Sequence, residues 1–445
     1  MEQGWLDELA EFIRIPSVSA DPAHRDDVLR AGEWVCEFVR RAGGTAELTP
    51  FGERELALGE LPASEGTEGK PTVLLYGHFD VQPPAPLELW ESDPFELTIR
   101  DGWAYARGVT DDKGQVWILL KAAQELAAAG ALPVHLRFAC DGEEEIGGHT
   151  IVDYLAFDDR GADACVIFDG GMLRQDVPVF DLATRGLIGV EVKVRTGERD
   201  LHSGMYGGAA LNAVHALIQA LSAVLAGPDG RLPEPLRQGI APPTEEELAA
   251  WRALPPGADE LEGQGARPLD PRAAEEFYVR TWAEPSVDVN GILGGKPGLR
   301  NTTLSVAASA EFSIRLAPGQ DVETIGGAAE RLLREATPRG AELDVRWGGA
   351  PPGLVRPDAP AIQLGLDAFE RALGVRPLLV RSGGTLPIMP ALADKGIPTI
   401  LTGFGVPESN VHSPNEKMRA DYLEKGVATA RELFTELGKL PRPAV

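Results

Sequence analysis

Three short apolar segments, each followed by acidic residues or a histidine, constrain the fold of this chain more than any other feature. Segments 72–76, 134–140 and 162–168 have the length and apolar composition of buried strands. Segments 117–129 and 148–155 lie between them and have the apolar spacing of helices. Alternation of this kind predicts a largely parallel sheet with helices on both faces, and chemistry at the C-terminal ends of its strands.

The pattern changes near residue 186. Segments 187–194 and 304–316 alternate apolar and polar residues, which is typical of antiparallel strands with one buried face. Strand–helix alternation returns after residue 359. We therefore predict an α/β fold in which residues 1–185 and 354–445 form a mostly parallel-sheet domain with helices on both faces. An inserted α+β domain interrupts it at 186–353.

Composition excludes several classes of function. The 445 residues carry a net charge of -26, whereas nucleic acids and anionic membranes attract basic surfaces. The sequence contains no run of about 18 apolar residues, so no segment is predicted to span a membrane. A signal peptide is not apparent, and three scattered cysteines do not make a disulfide framework. We expect a cytoplasmic protein without a nucleic-acid or membrane partner.

His78 and Asp80 follow the first apolar segment in His-x-Asp spacing. Residues two apart on an extended chain point to the same side. His78 is therefore a candidate metal ligand, and Asp80 is a candidate to orient its imidazole ring. Taken alone, such a pair more often has a core or capping role, and four further clusters strengthen the metal interpretation.

Acidic residues make up the next two clusters. Asp111 and Asp112 lie between glycines just before an apolar helix, where they fit either a helix N-cap or a carboxylate that bridges two metals. Glu144 and Glu145 belong to a run of three glutamates after the second apolar segment. Charges placed there repel one another unless a cation or a proton compensates them. Adjacent glutamates also allow one carboxylate to bind metal while the other handles a proton.

The last two clusters supply one more carboxylate and one more imidazole. Asp169 follows the third apolar segment, and His412 lies in segment 411–416 after a Gly-Phe-Gly turn. The chain has only seven histidines, and two of them fall in these five clusters. One histidine and one carboxylate per metal, with a shared bridging carboxylate, indicate a dinuclear site for zinc or manganese.

Six segments together resemble the M20 metallopeptidase family, and most of all its carnosinase-like and non-specific dipeptidase branch. They follow the family order over nearly the whole chain, at 77–83, 90–95, 107–114, 141–148, 202–204 and 412–416. The resemblance implies a two-metal hydrolase that cleaves dipeptides or other small substrates ending in a carboxylate. The alternatives are an N-acyl-amino-acid deacylase of the same reaction class and a non-catalytic ligand-binding relative on the same scaffold.

The resemblance also implies which residues bind the metals. Asp111 would bridge both ions and would be joined to Asp112 by a cis peptide bond. The remaining four ligands would be His78 and Asp169 on one ion, and Glu145 and His412 on the other. The expected cofactor is two divalent cations, zinc first, with manganese or cobalt as alternatives.

A catalytic base and an orienting carboxylate follow from the same resemblance. Glu144 would be the general base, and Asp80 would hold the imidazole of His78. Because Glu143 precedes Glu144, the assignment of base and ligand rests on reading this segment as Glu-Glu-x-Gly. A shift by one residue is the alternative.

The inserted domain is implied to be a dimerisation or lid domain, and the partners to be a small peptide and a second copy of the chain. His202 would reach the active site of the partner subunit and stabilise the oxyanion. Arg315 would hold the substrate carboxylate with its bidentate fork, although an arginine that closes a strand is commonly just solvated. The other predicted substrate contacts are Asn301, Thr302, Gly384 and Thr385.

Overall fold

The structure is a computed structural model that describes residues 3–64, 69–296, 298 and 301–441. The chain divides into two compact units. Unit 1 consists of Met1–Leu182, Val355–Val380 and Ala391–Val445, and unit 2 consists of Ala183–Leu354 and Arg381–Pro390. The insertion predicted at 186–353 falls within unit 2, whereas its role in dimerisation or as a lid stays a prediction.

Unit 1 contains helices and strands in alternation. Its α-helices are Gln3–Ile13, Arg25–Arg41, Lys113–Ala128, Thr150–Phe157, Pro360–Leu373 and Ala420–Leu437. Its strands are Thr45–Phe51, Arg54–Leu61, Thr72–His78, Thr98–Arg100, Trp103–Tyr105, His135–Asp141, Ala164–Phe168, Met172–Arg174, Thr399–Thr402 and Lys417–Arg419. Strands Val177–Thr184 and Leu378–Ser382 and helix Ile388–Asp394 each contain a boundary between the units.

Four strands at the centre of the large sheet are parallel. Their spatial order is His135–Asp141, Thr72–His78, Ala164–Phe168 and Thr399–Thr402. Antiparallel strands extend the sheet beyond this centre, among them Arg54–Leu61. The predicted α/β fold class is confirmed, and parallel pairing brings the carboxyl ends of the central strands to one edge.

The central strands lie in a dry interior, which explains their nearly continuous apolar sequences. Strand Ala164–Phe168 is buried at every residue, and Thr72–His78 is buried after its first residue. Parallel strands covered on both faces need apolar side chains on both sides. Gly77 allows an especially close approach, because a Cβ atom there would lie 2.7 Å from Asp112 Oδ2. The buried strand Thr72–His78 therefore lies close to the carboxylate of Asp112 at the polar edge of the sheet.

Unit 2 is built on an antiparallel sheet. Its four main strands, in spatial order, are Ser286–Gly294, Ala307–Leu316, Gly186–Arg195 and Glu342–Ala350. Shorter strands are Leu201–His202, Thr303–Leu304 and Gly353–Leu354. The α-helices are Ser203–Tyr206, Ala213–Ser222, Glu245–Trp251, Gly257–Gly263, Phe277–Trp282 and Val322–Ala336.

One face of the unit 2 sheet forms its core. In Gly186–Arg195 the buried residues alternate with less buried ones, as a strand with one covered face requires. Ile188, Val190 and Phe312 pack in one apolar cluster with residues of helices Ala213–Ser222 and Val322–Ala336. This arrangement is the α+β architecture predicted for the insertion. Among the described residues of the whole chain, no helix is both long enough and apolar enough to cross a bilayer.

Candidate metal centre

Five side chains of unit 1 form two groups of possible metal ligands that share one carboxylate. The first group is His78, Asp111 and Asp169, and in each group the ligand atoms lie within 4.8 Å of one another. His78 Nε2 is 3.0 Å from Asp111 Oδ1 and 3.8 Å from Asp169 Oδ1. One imidazole nitrogen and two carboxylates thus converge on one small volume.

The second group uses the other oxygen of the same aspartate. His412 Nε2 is 2.8 Å from Asp111 Oδ2 and 3.0 Å from Glu145 Oε2. Since Oδ1 of Asp111 faces His78 and Oδ2 faces His412, this carboxylate lies between the two groups. The structure therefore brings together all five residues predicted as ligands, with Asp111 in the shared position.

The ends of the parallel strands position these side chains. His78 is the last residue of strand Thr72–His78, and Asp169 follows Ala164–Phe168 directly. Glu145 lies in the short 3₁₀ helix Glu144–Ile146, which comes soon after strand His135–Asp141. Strand ends meet at one edge of the sheet, so ligands that are distant in sequence become neighbours.

The contacts of Asp112 bear on the alternative that this residue caps the N-terminus of a helix. It occupies the N-cap position of helix Lys113–Ala128, but its side chain caps no backbone amide of that helix. Instead, Asp112 Oδ2 accepts a hydrogen bond of 3.2 Å from the backbone N–H of His78. A cis peptide bond joins Asp111 to Asp112, as the resemblance implies. The pair thus contacts the strand end that carries His78.

Asp80 is fully buried beside His78. His78 Nδ1 lies 3.2 Å from both the carbonyl oxygen and the Oδ1 atom of Asp80, with hydrogen-bond geometry only toward the carbonyl. Asp80 Oδ2 accepts from the backbone N–H of Glu145 at 3.2 Å. Asp80 therefore contacts one predicted ligand and holds the main chain of another.

The contacts of the glutamate run support the reading in which Glu144 is the base. Glu143 is buried and faces away from the cluster, since it pairs with Arg54 at 3.2 Å and accepts from the backbone N–H of Thr150 at 2.8 Å. The Glu144 carboxylate makes no hydrogen bond to the residues that the structure describes. Burial raises the pKa of Glu144 to about 8; the charges of Asp169 and Glu145 add to this effect, whereas that of His78 opposes it.

The surrounding acids raise the pKa of both histidines. Hydrogen bonds to Asp111 and Glu145 raise the pKa of His412 to about 10, against the effect of partial burial. Burial lowers the pKa of His78, but contacts with carboxylates outweigh burial and raise it well above its usual range. The acids of this site therefore favour the positively charged form of its own two histidines.

The donor set fits divalent cations. Carboxylate oxygens and imidazole nitrogens are the ligands that zinc and manganese accept. Glu145 Oε1 is buried without a hydrogen-bond partner among the described residues. The other oxygen, Oε2, accepts a hydrogen bond of 2.8 Å from Gln82 Nε2. A buried carboxylate oxygen without a partner is costly unless a cation binds it. Metal coordination would remove that cost.

Glu416 is a further residue of this centre, and the sequence patterns assign it no separate role. Its carboxylate is fully buried and pairs with Arg107 at 2.6 Å. It also accepts from the backbone N–H groups of Gly108, Thr110 and Asp111, at 3.1, 2.9 and 3.1 Å. Glu416 thus fixes the loop that carries the shared aspartate. The only local signal for it is its place at the end of the segment that contains His412.

The predicted substrate residues belong to unit 2 and fall into two places. Arg315 Nη1 donates to Thr385 Oγ1 at 3.0 Å, and the carbonyl of Gly384 accepts from Arg185 N at 2.9 Å. His202 is exposed, and its neighbour Ser203 donates its backbone N–H to the carbonyl of Thr302 at 2.8 Å. Asn301 adjoins Thr302 and accepts from the backbone N–H of Thr303 at 3.3 Å. The roles of these residues toward a substrate stay predictions.

Comparison with known proteins places this arrangement among metallopeptidases. The family model of Peptidase family M20/M25/M40 matches residues 74–436. A cysteinylglycine-S-conjugate dipeptidase of Corynebacterium striatum is 28% identical, covering 97% of this chain and 95% of the relative. A Beta-Ala-His dipeptidase of Homo sapiens is 28% identical, with coverage of 98% and 90%. The M20 family metallo-carboxypeptidase Sso-CP2 of Sulfolobus solfataricus has a TM-score of 0.83 at 26% identity, covering 99% and 100% of the two chains.

Replacing Glu416 tests whether it positions the shared aspartate. In Glu416→Gln an amide N–H₂ faces N–H donors, so the loop that carries Asp111 loses part of its support. Metal affinity should fall by about 10–100-fold, the range measured for residues that orient ligands. Titration of the metal-free variant with zinc measures this change. Glu408→Gln, at an exposed glutamate, is the control; equal affinities for the two variants would contradict the role of Glu416.

Metal binding should release protons. Because His412 in the metal-free protein has a pKa of about 10, it carries a proton at neutral pH that a cation has to displace. Apparent affinity should therefore rise with pH up to about that value. Calorimetric titration with zinc at pH 7, in buffers of different ionisation enthalpy, should show a net release of protons. Binding that neither releases protons nor depends on pH would show that the histidines are neutral in the metal-free protein.

Proposed function

We propose that this chain, which belongs to Peptidase family M20/M25/M40, hydrolyses dipeptides with the help of two divalent cations. Its family membership confirms the resemblance noted in the sequence. The two curated relatives described above are named as dipeptidases, and both match nearly the full length of this chain. A shared full-length architecture supports a shared reaction class, and the residues of the site indicate how this chain would carry it out.

The observation that carries the proposal is the position of Asp111 between two groups of ligands. Its two carboxylate oxygens face His78 and His412 at 3.0 and 2.8 Å. A carboxylate shared in this way would serve both cations of a two-metal hydrolase, with one histidine and one further carboxylate for each. Zinc is the first expectation because histidine and carboxylate ligands suit it, and manganese or cobalt are the alternatives.

Bound cations would supply positive charge that polarises a carbonyl group and makes a water molecule more acidic. Glu144 lies next to the ligand Glu145 and has a carboxylate without a hydrogen-bond partner among the described residues. We assign it the proton transfers. It takes a proton from the attacking water, whose oxygen bonds to the scissile carbon, and it gives this proton to the leaving nitrogen as the peptide bond breaks. Asp80 and Glu416 hold the ligands in position.

Arg315 is the proposed contact for the carboxylate end of the substrate. Thr385 Oγ1 lies 3.0 Å from Arg315 Nη1, and no acidic side chain among the described residues forms an ion pair with Arg315. A guanidinium without a carboxylate partner has donors available for a bidentate contact. Gly384, Asn301 and Thr302 are proposed as further contacts with the substrate.

A homodimer is the proposed working unit. Unit 2 exposes large apolar side chains, including Met205 and Leu293 at 73% and Ile292 at 59%. Ile292 and Leu293 lie on Ser286–Gly294, which is an edge strand of the antiparallel sheet. Apolar residues on an open edge favour pairing with another chain. We propose that this pairing presents the exposed His202 to the partner's site.

A substrate panel tests the proposed reaction. Protein loaded with zinc, manganese or cobalt should hydrolyse dipeptides, and much more slowly the same dipeptides with an amidated C-terminus, which lack the carboxylate that Arg315 would hold. Release of amino acids, measured by chromatography, gives the rates. Preference for N-acyl amino acids over dipeptides would indicate a deacylase instead. No hydrolysis of either class with any of the three metals would refute the proposal.

Replacement of Glu144 separates catalysis from metal binding. Glu144→Gln keeps the shape of the side chain but cannot take up a proton, so turnover should fall by roughly 10²–10⁴-fold or more. Metal content, measured by elemental analysis, should stay at the wild-type value. Loss of one metal would mean that Glu144 is a ligand and that the assignment shifts by one residue. Near-normal turnover would exclude it as the base.

Mixing two inactive variants tests the shared site. If each site combines Glu144 of one chain with His202 of the other, a heterodimer of Glu144→Gln and His202→Ala has one site with both defects and one intact site. Random exchange of subunits should restore about a quarter of wild-type activity, since half of the dimers then carry one working site of two. No recovery after subunit exchange has been shown by mass spectrometry would mean that His202 does not act across the dimer.

A further inference from the structure

A cavity of about 380 Å³ lies within unit 2. Five of its lining residues are arginines and three are acids, in a chain that has 42 basic and 68 acidic residues overall. The arginines are Arg185, Arg231, Arg237, Arg267 and Arg280, and the acids are Glu276, Glu284 and Asp288. The lining is therefore positive, in contrast to the chain as a whole.

Two of the three acids are already neutralised by neighbouring arginines. Arg237 binds both oxygens of Glu284. Arg280 donates from Nε to Glu276 at 2.9 Å, and it also pairs with Asp270. These acids balance the charges of Arg237 and Arg280, so neither arginine is available as a partner for an anionic ligand.

Arg185 is different because no carboxylate in the described part of the chain forms an ion pair with it; Asp288, the third acid of the lining, acts on it only as a nearby charge. Its Nε donates to the carbonyl of Gly383 at 3.2 Å, and Nη1 lies 3.5 Å from Ser286 Oγ. No carboxylate among the described residues lies within ion-pair distance of its guanidinium. Burial and the nearby charge of Arg315 lower the pKa of Arg185 to about 10, against the opposite effect of Asp288, so it is still charged at neutral pH. A partly buried guanidinium without an anionic partner is unfavourable until an anion binds it.

Apolar side chains form much of the remaining lining. They include Leu261, Phe277 and Val279, together with Leu269, whose side chain is 73% exposed. Small-ligand sites are typically cavities of about 300–1,000 Å³ with mostly apolar walls and a few polar groups that fix orientation. This cavity has that size and that mixture, and Arg185 is a partly buried guanidinium in it that forms no ion pair with the described residues.

We propose that this cavity binds a small organic carboxylate that has an apolar body. The carboxylate would accept hydrogen bonds from Arg185, and the apolar body would pack against Leu261, Phe277 and Val279. A planar guanidinium matches the two oxygens of a carboxylate, and the apolar lining favours an organic acid over an inorganic anion. The cavity includes none of the residues predicted as metal ligands or substrate contacts, so this inference goes beyond the proposed hydrolysis and does not depend on it.

Arg185 also holds the loop that contains the proposed substrate contacts. Its backbone N–H donates to the carbonyl of Gly384 at 2.9 Å, and its carbonyl accepts from Thr385 Oγ1 at 2.7 Å. The residue that would bind the cavity ligand thus has two backbone bonds to this loop. Binding has to be measured directly. A change in activity alone would not show whether the guanidinium of Arg185 in the cavity or its backbone bonds to the loop are responsible.

Calorimetric titration of the full chain with phenylacetate tests the proposal, with phenylacetamide as a neutral probe of the same shape. Phenylacetate should bind at one site per chain. The amide should bind at least about tenfold more weakly, because a charged hydrogen bond is lost. Arg185→Gln should weaken phenylacetate binding by about tenfold or more and leave the amide unchanged.

Leu269→Glu covers the case in which Arg185→Gln does not fold. Because Leu269 is largely exposed, the new acid should not disturb the fold, but it adds a negative charge at the cavity and should also weaken phenylacetate binding. Leu87→Glu is the matched control, at a leucine of unit 1 that is 59% exposed. Wild-type affinity in both cavity variants, or loss of binding only in Arg315→Gln, would overturn the proposal. The absence of saturable binding up to about 10 mM would overturn it as well.

Discussion

Mutual repulsion among buried acids is the constraint around which unit 1 is organised. Asp111, Glu145 and Asp169 lie within a few ångströms of two imidazoles, and Asp80 and Asp112 are fully buried beside them. Like charges cannot share such a volume unless protons or cations compensate them. The same acids raise the pKa of His412 to about 10. Affinity for metal is therefore a direct consequence of packing these carboxylates at the strand ends.

Compensation of charge also explains how the loop of Asp111 is fixed. Glu416 is itself a fully buried acid, but it differs from the ligands because Arg107 and three backbone N–H groups satisfy it. A fully bonded carboxylate can orient a ligand without competing for a cation. Glu416 therefore differs in its contacts from the acids that could hold a metal ion.

The two units have opposite electrostatic characters at their candidate functional residues. Unit 1 gathers acids and histidines that suit cations. Unit 2 carries Arg185 and Arg315, neither of which has an acidic partner among the described residues. The proposed hydrolysis of dipeptides calls for both characters, and each compact unit of this chain carries one of them. The net charge of -26 reveals neither the acidic cluster of unit 1 nor the arginines of unit 2, because a sum over the chain hides a local excess of one charge.

The sequence by itself determined the central parallel strands, the antiparallel insertion and the residues at the strand ends, because apolar periodicity and residue type are local properties. With the family resemblance, it also named the five side chains that the structure gathers. Only the tertiary structure decided contacts between distant segments. Arg107 and Glu416 are 309 residues apart, and the buried pair of Arg381 with Glu247 ties segment 381–390 to unit 2. No local pattern marks such partners, since burial of a charge depends on what the rest of the fold places around it.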